Sequence, residues 1–185
     1  MASPRGNVPA GTYHVTTRSG GPIPIFIDDQ DRTCFCMLLM RTIKRARWIC
    51  HSFCLMTTHY HLLLEVPEDA LQGGMHVLNG NYAMRFNARH GRSGHLFGER
   101  YCCRRVASDG HLLQLLRYIA RNPVEAGLVA RPSDWYWSSY RGCAALDAGF
   151  PFVDSSFVRS YFGADREQAV AQLRAFVGDD DASVP

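Results

Sequence analysis

Apolar and polar positions alternate along this chain with two periods, one of two residues and one close to four, and the change between them marks its elements. Thr12 to Thr17 alternates as a half-buried strand does, and the proline-glycine stretch Gly20 to Pro24 reads as a loop. Asp29 to Ala46 turns to helical spacing, with Phe35, Leu38, Leu39 and Ile43 on its apolar side. Trp48 to Met56 and His59 to Val66 read as strands joined by a tight polar turn at Thr57-Thr58. Glu68 to His90 is a long helical segment, weakened at its start by Gly73 and Gly74. Tyr101 to Val106 is a last strand. Residues 110 to 122 form a helix with Leu112, Leu115, Leu116 and Ile119 on one face. Ser108 or Asp109 suits its N-cap, and Pro123 is expected to stop it, because the residue before a proline is pushed out of the helical region. Phe157 to Val177 has the pattern of one or two amphipathic helices.

The resulting β-α-β-β-α-β order predicts an α+β, ferredoxin-like (RRM-like) sheet with helices on one face. A further helix, residues 110 to 122, and a short helical C-terminal tail follow it. We divide the chain into a domain of residues 1–145 and an acidic, partly helical tail of residues 146–185.

Composition adds three constraints. At 185 residues the chain has room for one real core but not for a large additional domain such as a helicase. No stretch approaches the ~20 apolar residues of a membrane helix, and the N-terminus lacks the layout of a signal peptide, so no membrane partner and a cytoplasmic location are expected. Seven cysteines in no repeating framework point to free thiols in a reducing compartment. Cys34, Cys36, Cys102 and Cys103 lack zinc-finger spacing and read as packing residues. Charge is unevenly divided. Residues 1–145 hold 17 basic and 10 acidic side chains, a balance of +7, while residues 146–185 hold 3 and 7, a balance of −4.

The chemistry is concentrated in two places. In a strand, residues two apart share a face, so His59 and His61 project together while Tyr60 turns into packing. Paired neutral imidazoles suit a divalent metal, although a pair of exposed strand histidines with no ligand is the commoner case. Glu65 shares their face by parity, as an outer partner of the metal or simply as a surface carboxylate at the strand end. In the helix, Tyr118 and Asn122 stand four residues apart, one above the other. Locally, an interfacial tyrosine and an N-cap asparagine before Pro123 are the better explanations. His95 and His111 have no partner that the sequence identifies.

Taken together, these elements resemble the HUH single-tyrosine transposases, in particular the REP-associated tyrosine transposase branch and its insertion-sequence relatives. The resemblance is carried by Gly11-Thr-Tyr-His-Val-Thr-Thr-Arg18, by His59-Tyr-His61, and by Gly94-His-Leu-Phe-Gly-Glu-Arg-Tyr101. Its most specific piece is Leu116-Arg-Tyr-Ile-Ala-Arg-Asn-Pro-Val-Glu-Ala-Gly-Leu-Val129, followed by Trp137-Ser-Ser-Tyr140. In order and spacing it spans about residues 8 to 142.

The resemblance implies a metal-dependent single-stranded DNA endonuclease and strand transferase acting beside a DNA hairpin. Tyr118 would be the nucleophile, leaving a 5′-phosphotyrosine bond and a free 3′-hydroxyl. His59, His61 and the Asn122 carbonyl would hold Mg²⁺ or Mn²⁺, since a hard cation needs oxygen beside imidazole. A tyrosine hydroxyl ordinarily titrates near pH 10 and needs such help to attack. Arg18, Arg100, Arg104, Arg105, Arg117 and Arg121 would contact DNA, arginine being suited to bidentate phosphate binding. Relatives act as monomers or as homodimers with exchanged tyrosine helices, and DNA as substrate implies association with the nucleoid. Two other readings stand beside this one: a domesticated hairpin DNA- or RNA-binding protein that no longer cuts, and a small HUH nickase of the replication or conjugation type. The charge split further suggests that the acidic tail restrains the basic site.

Overall fold

The computed structural model describes residues 8–179. Their elements follow the expected succession: β1 (Gly11–Arg18), α1 (Asp29–Ala46), β2 (Ile49–Leu55), β3 (His59–Val66), α2 (Ala70–Arg89), β4 (Cys102–Arg105) and α3 (Asp109–Glu125). Three short helices follow: α4 (Tyr140–Cys143), α5 (Ser155–Ser160) and α6 (Arg166–Val177). The strands lie in the order β2-β3-β1-β4, and every neighbouring pair is antiparallel. Two interleaved β-α-β units produce this order, with β3 set between β1 and β2. Among the described residues no helix is long and apolar enough to cross a membrane.

Strand parity separates two cores. Val15, Tyr60, Leu62 and Leu64 turn to one face, where Phe35 and Leu39 of α1 and Met75, Leu78 and Tyr82 of α2 bury them. His14, His59, His61 and Leu63 turn to the other. A bulge at Cys50–Ser52 shifts the parity of β2, so Cys50 and Phe53, three apart, both enter the first core. Gly74, in the weak start of α2, makes room for the Trp48 indole: a Cβ there would lie 2.1 Å from its Cζ2.

The second face is also covered. Leu112, Leu116 and Ile119 of α3 join Cys54, Met56 and Leu63 of the sheet in a second core. Val158 of α5 and Ala169, Leu173 and Val177 of α6 complete it. The tail residues described here are therefore packed against the tyrosine helix. Buried Asp179 fixes their end, accepting from the Ser133 amide and hydroxyl and from the Tyr140 hydroxyl, the last at 3.0 Å. Residues 137–139 pair along the free edge of β2, Leu55 donating to the Trp137 carbonyl and Ser139 to that of Phe53. That edge is thereby closed.

The expectation that Pro123 ends its helix is corrected: α3 runs through it to Glu125. Proline this near a C-terminus removes a single ladder bond, and its buried ring packs inside the protein. The last turn is closed by amides of Ala126, Gly127 and Leu128, which donate to carbonyls of Asn122, Val124 and Pro123. Ser108 is the N-cap, accepting from the His111 amide. All seven cysteines are free. Cys36, Cys50, Cys54 and Cys143 are buried, and burial pushes their thiols up, to about 12 for Cys36 and about 11 for Cys143.

Candidate active site

β3 aims His59 and His61 at the second face, as alternation requires, with ring centroids 5.0 Å apart and planes at 82°. Tyr60 goes to the first core and donates its hydroxyl to Asn79. α3 crosses the same face and sets the Tyr118 ring edge-on to His61, centroids 5.3 Å apart. One turn later Asn122 is buried against both histidines, and its amide nitrogen donates to the Tyr118 carbonyl at 3.0 Å. Its carbonyl oxygen is left to face the two histidine rings. The four residues singled out in sequence thus meet in one place, with Tyr118 partly open to solvent at 40% exposure.

Each histidine is held by one ring nitrogen. His59 Nδ1 lies 3.3 Å from the Thr58 hydroxyl. His61 Nδ1 lies 3.0 Å from Nε2 of His14, whose ring stacks on it at 5.2 Å and 12°. His61 Nε2 is buried and has no hydrogen-bond partner. A metal ligand commonly donates from one ring nitrogen to a neighbour and binds with the other. In the tautomer with Nδ1 protonated, both rings present Nε2 for ligation.

Burial is the main reason that all three rings resist protonation. It lowers His59 to about 4, helped by the charge of Arg18 and opposed by Asn122. His61 falls to about 2, through burial, then His14, His59 and Arg18, again opposed by Asn122. His14 falls to about 4, through burial, then Arg104 and His111. Neutral imidazoles are the ligating form. Among the described residues no three His, Cys, Asp or Glu side chains converge on one point. The side chains here that could hold a divalent cation are accordingly the two imidazoles and the Asn122 carbonyl.

His14 is the residue that sequence reading missed. Strand parity within β1 puts it on the face of Arg18, and register sets Thr16 opposite His61 and His14 opposite Leu63. Only that register brings it to His61, so spacing alone could not find it. Glu65 does not reach the site; it lies 3.3 Å from His51 Nε2, and the His51 ring stacks on Phe157.

The six arginines divide. Arg18 on β1 and Arg104 on β4 flank the histidines and act on their charge. Arg105 points to the other face of β4 and donates to the Ala10 carbonyl. Arg100 lies in the loop before β4, in a cleft against α2 lined by His76 and His95. The last two arginines, on α3, also touch α6. Arg117 stacks on Phe176 at 5.9 Å, and Arg121 donates to the Val177 carbonyl at 3.0 Å, capping α6.

Residues 7–122 match the family model described as "Transposase IS200 like". No curated relative matches the sequence. Among solved structures, a REP-associated tyrosine transposase bound to a REP hairpin superposes with a TM-score of 0.66. It is 16% identical over 82% of this chain and 89% of its own, a likeness of fold. A Deinococcus radiodurans R1 protein described as a transposase is 20% identical over 64% of this chain and 95% of its own. Its TM-score is 0.43, too low to establish a shared fold.

Proposed function

The chain belongs to the IS200-like transposase family, and on that premise we propose that it cuts and rejoins single-stranded DNA beside a hairpin through a covalent bond to Tyr118. The carrying observation is the meeting of Tyr118 and Asn122, on one helix, with two histidines that burial keeps neutral. The hairpin is proposed because the structural neighbour of the same fold is bound to one.

His59, His61 and the Asn122 carbonyl are the residues that would hold Mg²⁺ or Mn²⁺. When bound, such an ion stabilises charge on the scissile phosphate and on the attacking oxygen. Tyr118 stands half in solvent, where an extended strand can reach it, and its helix fixes the distance from nucleophile to ligand. The Tyr118 oxygen attacks phosphorus and gives up its proton to solvent. The bond to the 3′ oxygen breaks, and that oxygen takes a proton as the 3′-hydroxyl. The 5′-phosphate stays on Tyr118, conserving the bond energy, so a second 3′-hydroxyl can reverse the step and join a new end. Arg18 and Arg104 stand at either side to bind flanking phosphates. One chain carries the whole set against its own sheet, so a monomer is sufficient for cleavage. DNA as substrate places the protein with the nucleoid in the cytoplasm.

The test is a labelled single-stranded hairpin taken from DNA flanking the gene, incubated with Mg²⁺ or Mn²⁺, with EDTA, and with Tyr118→Phe. A metal-dependent covalent adduct that is lost in Tyr118→Phe is expected. Tight hairpin binding with no adduct under either metal would replace this reading with a binding protein that does not cut.

A further inference from the structure

β3 delivers His59 directly after the turn Thr57-Thr58, and that turn is held from outside the sheet. The Ser19 amide donates to the Thr58 carbonyl at 2.9 Å. The Thr57 carbonyl accepts from the amides of Ile25, at 2.9 Å, and Phe26, at 3.3 Å. Thr58 also carries the hydroxyl that meets His59 Nδ1. The direction of the His59 ring therefore depends on where residues 19–26 stand. Residues 20–28 contain neither helix nor strand, so no ladder of their own fixes them. An anchor comes from α2: the Tyr82 hydroxyl donates to the Ile25 carbonyl, and its ring lies 5.4 Å from that of Phe26. The carbonyl of Ile25 and the amide of Phe26 belong to one peptide plane, which turns as a unit. Tyr82 holds one side of that plane and Thr57 the other.

The ring of Tyr82 and its hydroxyl have separate roles. Phe26, Phe35 and Phe86 pack around the ring, and a phenylalanine would pack there equally. Only the hydroxyl reaches the main chain. Burial, and after it the Asp31 carboxylate, raise its pKa above the ordinary tyrosine value, so it stays a donor. Ile25 is fully buried, and a buried carbonyl stripped of its donor is costly. Rotation of the peptide relieves that cost and draws the Phe26 amide away from Thr57. We propose that Tyr82, in the core on the opposite face of the sheet, is a positioning residue for His59, acting through the Ile25–Phe26 peptide, Thr57 and Thr58. It touches neither substrate nor any ligating atom. The proposal rests on His59 as a metal-holding residue of the function proposed above and adds to it a residue from the first core.

The experiment compares wild type with Tyr82→Phe, Thr58→Val, their double variant and a control, Tyr13→Phe. Tyr13 also donates its hydroxyl to a main-chain carbonyl, that of Pro9 at 2.9 Å, but near the start of β1, whereas Arg18 at the other end pairs with His59. The control thus loses the same kind of bond without disturbing the turn. Ring-nitrogen resonances of His59 are recorded by NMR in EDTA, and Mn²⁺ dissociation constants are measured separately. One hydrogen bond corresponds to about a fivefold change in an equilibrium constant, so Tyr82→Phe should weaken Mn²⁺ binding by about two- to fivefold. Thr58→Val, which removes the outer partner itself, should weaken it by about tenfold. The double variant should bind as Thr58→Val does, because both changes act through one hydroxyl. The His59 resonances should shift in Tyr82→Phe and keep their wild-type positions in Tyr13→Phe, while the urea midpoints of the two fall together. His59 resonances unmoved in Tyr82→Phe overturn the proposal, as do fully additive losses in the double variant. If wild type binds no Mn²⁺, the metal-holding role of His59 fails instead, and the His59 resonances in EDTA still decide whether Tyr82 positions the ring.

Discussion

Replacing His14 tests the candidate centre without asking for turnover. His14 touches neither Tyr118 by hydrogen bond nor any proposed ligand atom; its contribution is the 3.0 Å bond to His61 Nδ1 and the stacked ring. In His14→Phe a ring of similar size remains, but His61 Nδ1 loses its partner inside the protein. Leaving a buried polar group unsatisfied costs ~1–3 kcal/mol. Part of that falls on the folded chain without metal. The rest falls on metal affinity, because His61 no longer has Nδ1 fixed as donor and Nε2 as the free atom. Loss of an outer partner of a metal-binding histidine typically weakens the metal by ~10–100-fold. We expect His14→Phe to raise the Mn²⁺ dissociation constant within that range. His14→Gln, whose amide oxygen can accept from Nδ1, should recover most of the loss. Free Mn²⁺ is counted by its electron paramagnetic resonance signal, and urea midpoints in EDTA report stability separately. If both variants bind Mn²⁺ as wild type does, His14 is packing and the orientation argument is wrong. If wild type itself binds no Mn²⁺, the donor set assigned to His59, His61 and Asn122 is wrong.

Other consequences follow from particular contacts. His14, His59 and His61 are held below their ordinary range chiefly by burial, so the unfolded chain binds more protons than the folded one as pH falls from about 6.5 toward 4. Their contribution to stability is therefore full above that window and lost through it; a urea midpoint in EDTA that stays flat from pH 6.5 to 4.5 would contradict the buried neutral rings. Gly74→Ala drives a methyl into the Trp48 indole and should lower stability by ~1–3 kcal/mol. Gly73→Ala meets open space and should gain up to ~1 kcal/mol from helix propensity, so thermal melts of the pair should move in opposite directions. Removing residues 146–185 strips Val158, Phe162, Leu173 and Val177 from the second core, and we expect a lower melting temperature and loss of soluble protein. A truncated chain that melts as wild type and binds single strands more tightly would instead support a restraining tail.

Much of this architecture is legible because it depends on local periodicity. The bounds of α1 and β3 read from spacing are those observed, and the opposite facing of Tyr60 and His61 needs only the two-residue repeat of a strand. Tyr118 and Asn122 were readable as one stripe for the same reason. What escaped depends on contacts distant in sequence. His14 reaches His61 across 47 residues, through a register that no local pattern encodes. The contacts of Arg117 and Arg121 with α6 likewise join residues far apart in the chain, which spacing along α3 does not show. Pro123 misled because its local preference is real but weak. Near a helix end, with a buried ring, tertiary packing outweighs it.

The tail then has a consequence for chemistry that its charge alone did not suggest. Tyr118 and Asn122 approach β3 only as closely as α3 lies on the sheet. Leu112, Leu116 and Ile119 set that distance from below, packing on Cys54, Met56 and Leu63. From the outer side, Phe176 takes the Arg117 guanidinium and the end of α6 takes that of Arg121. Val177 is buried in the same core, and Asp179 just beyond it is held by Ser133 and Tyr140. Tyrosine helix, tail and the 133–140 segment are therefore one packed unit. A change at Asp179 acts on the site by letting that unit shift against β3. Asp179→Ala removes the buried carboxylate to which the Ser133 amide and hydroxyl and the Tyr140 hydroxyl donate, at a cost of ~1–3 kcal/mol. Mn²⁺ affinity should fall together with the melting temperature, because Asn122 and the histidines sit on different sides of the loosened interface. A lower melting temperature with unchanged Mn²⁺ affinity would show that α3 keeps its place on the sheet without the tail.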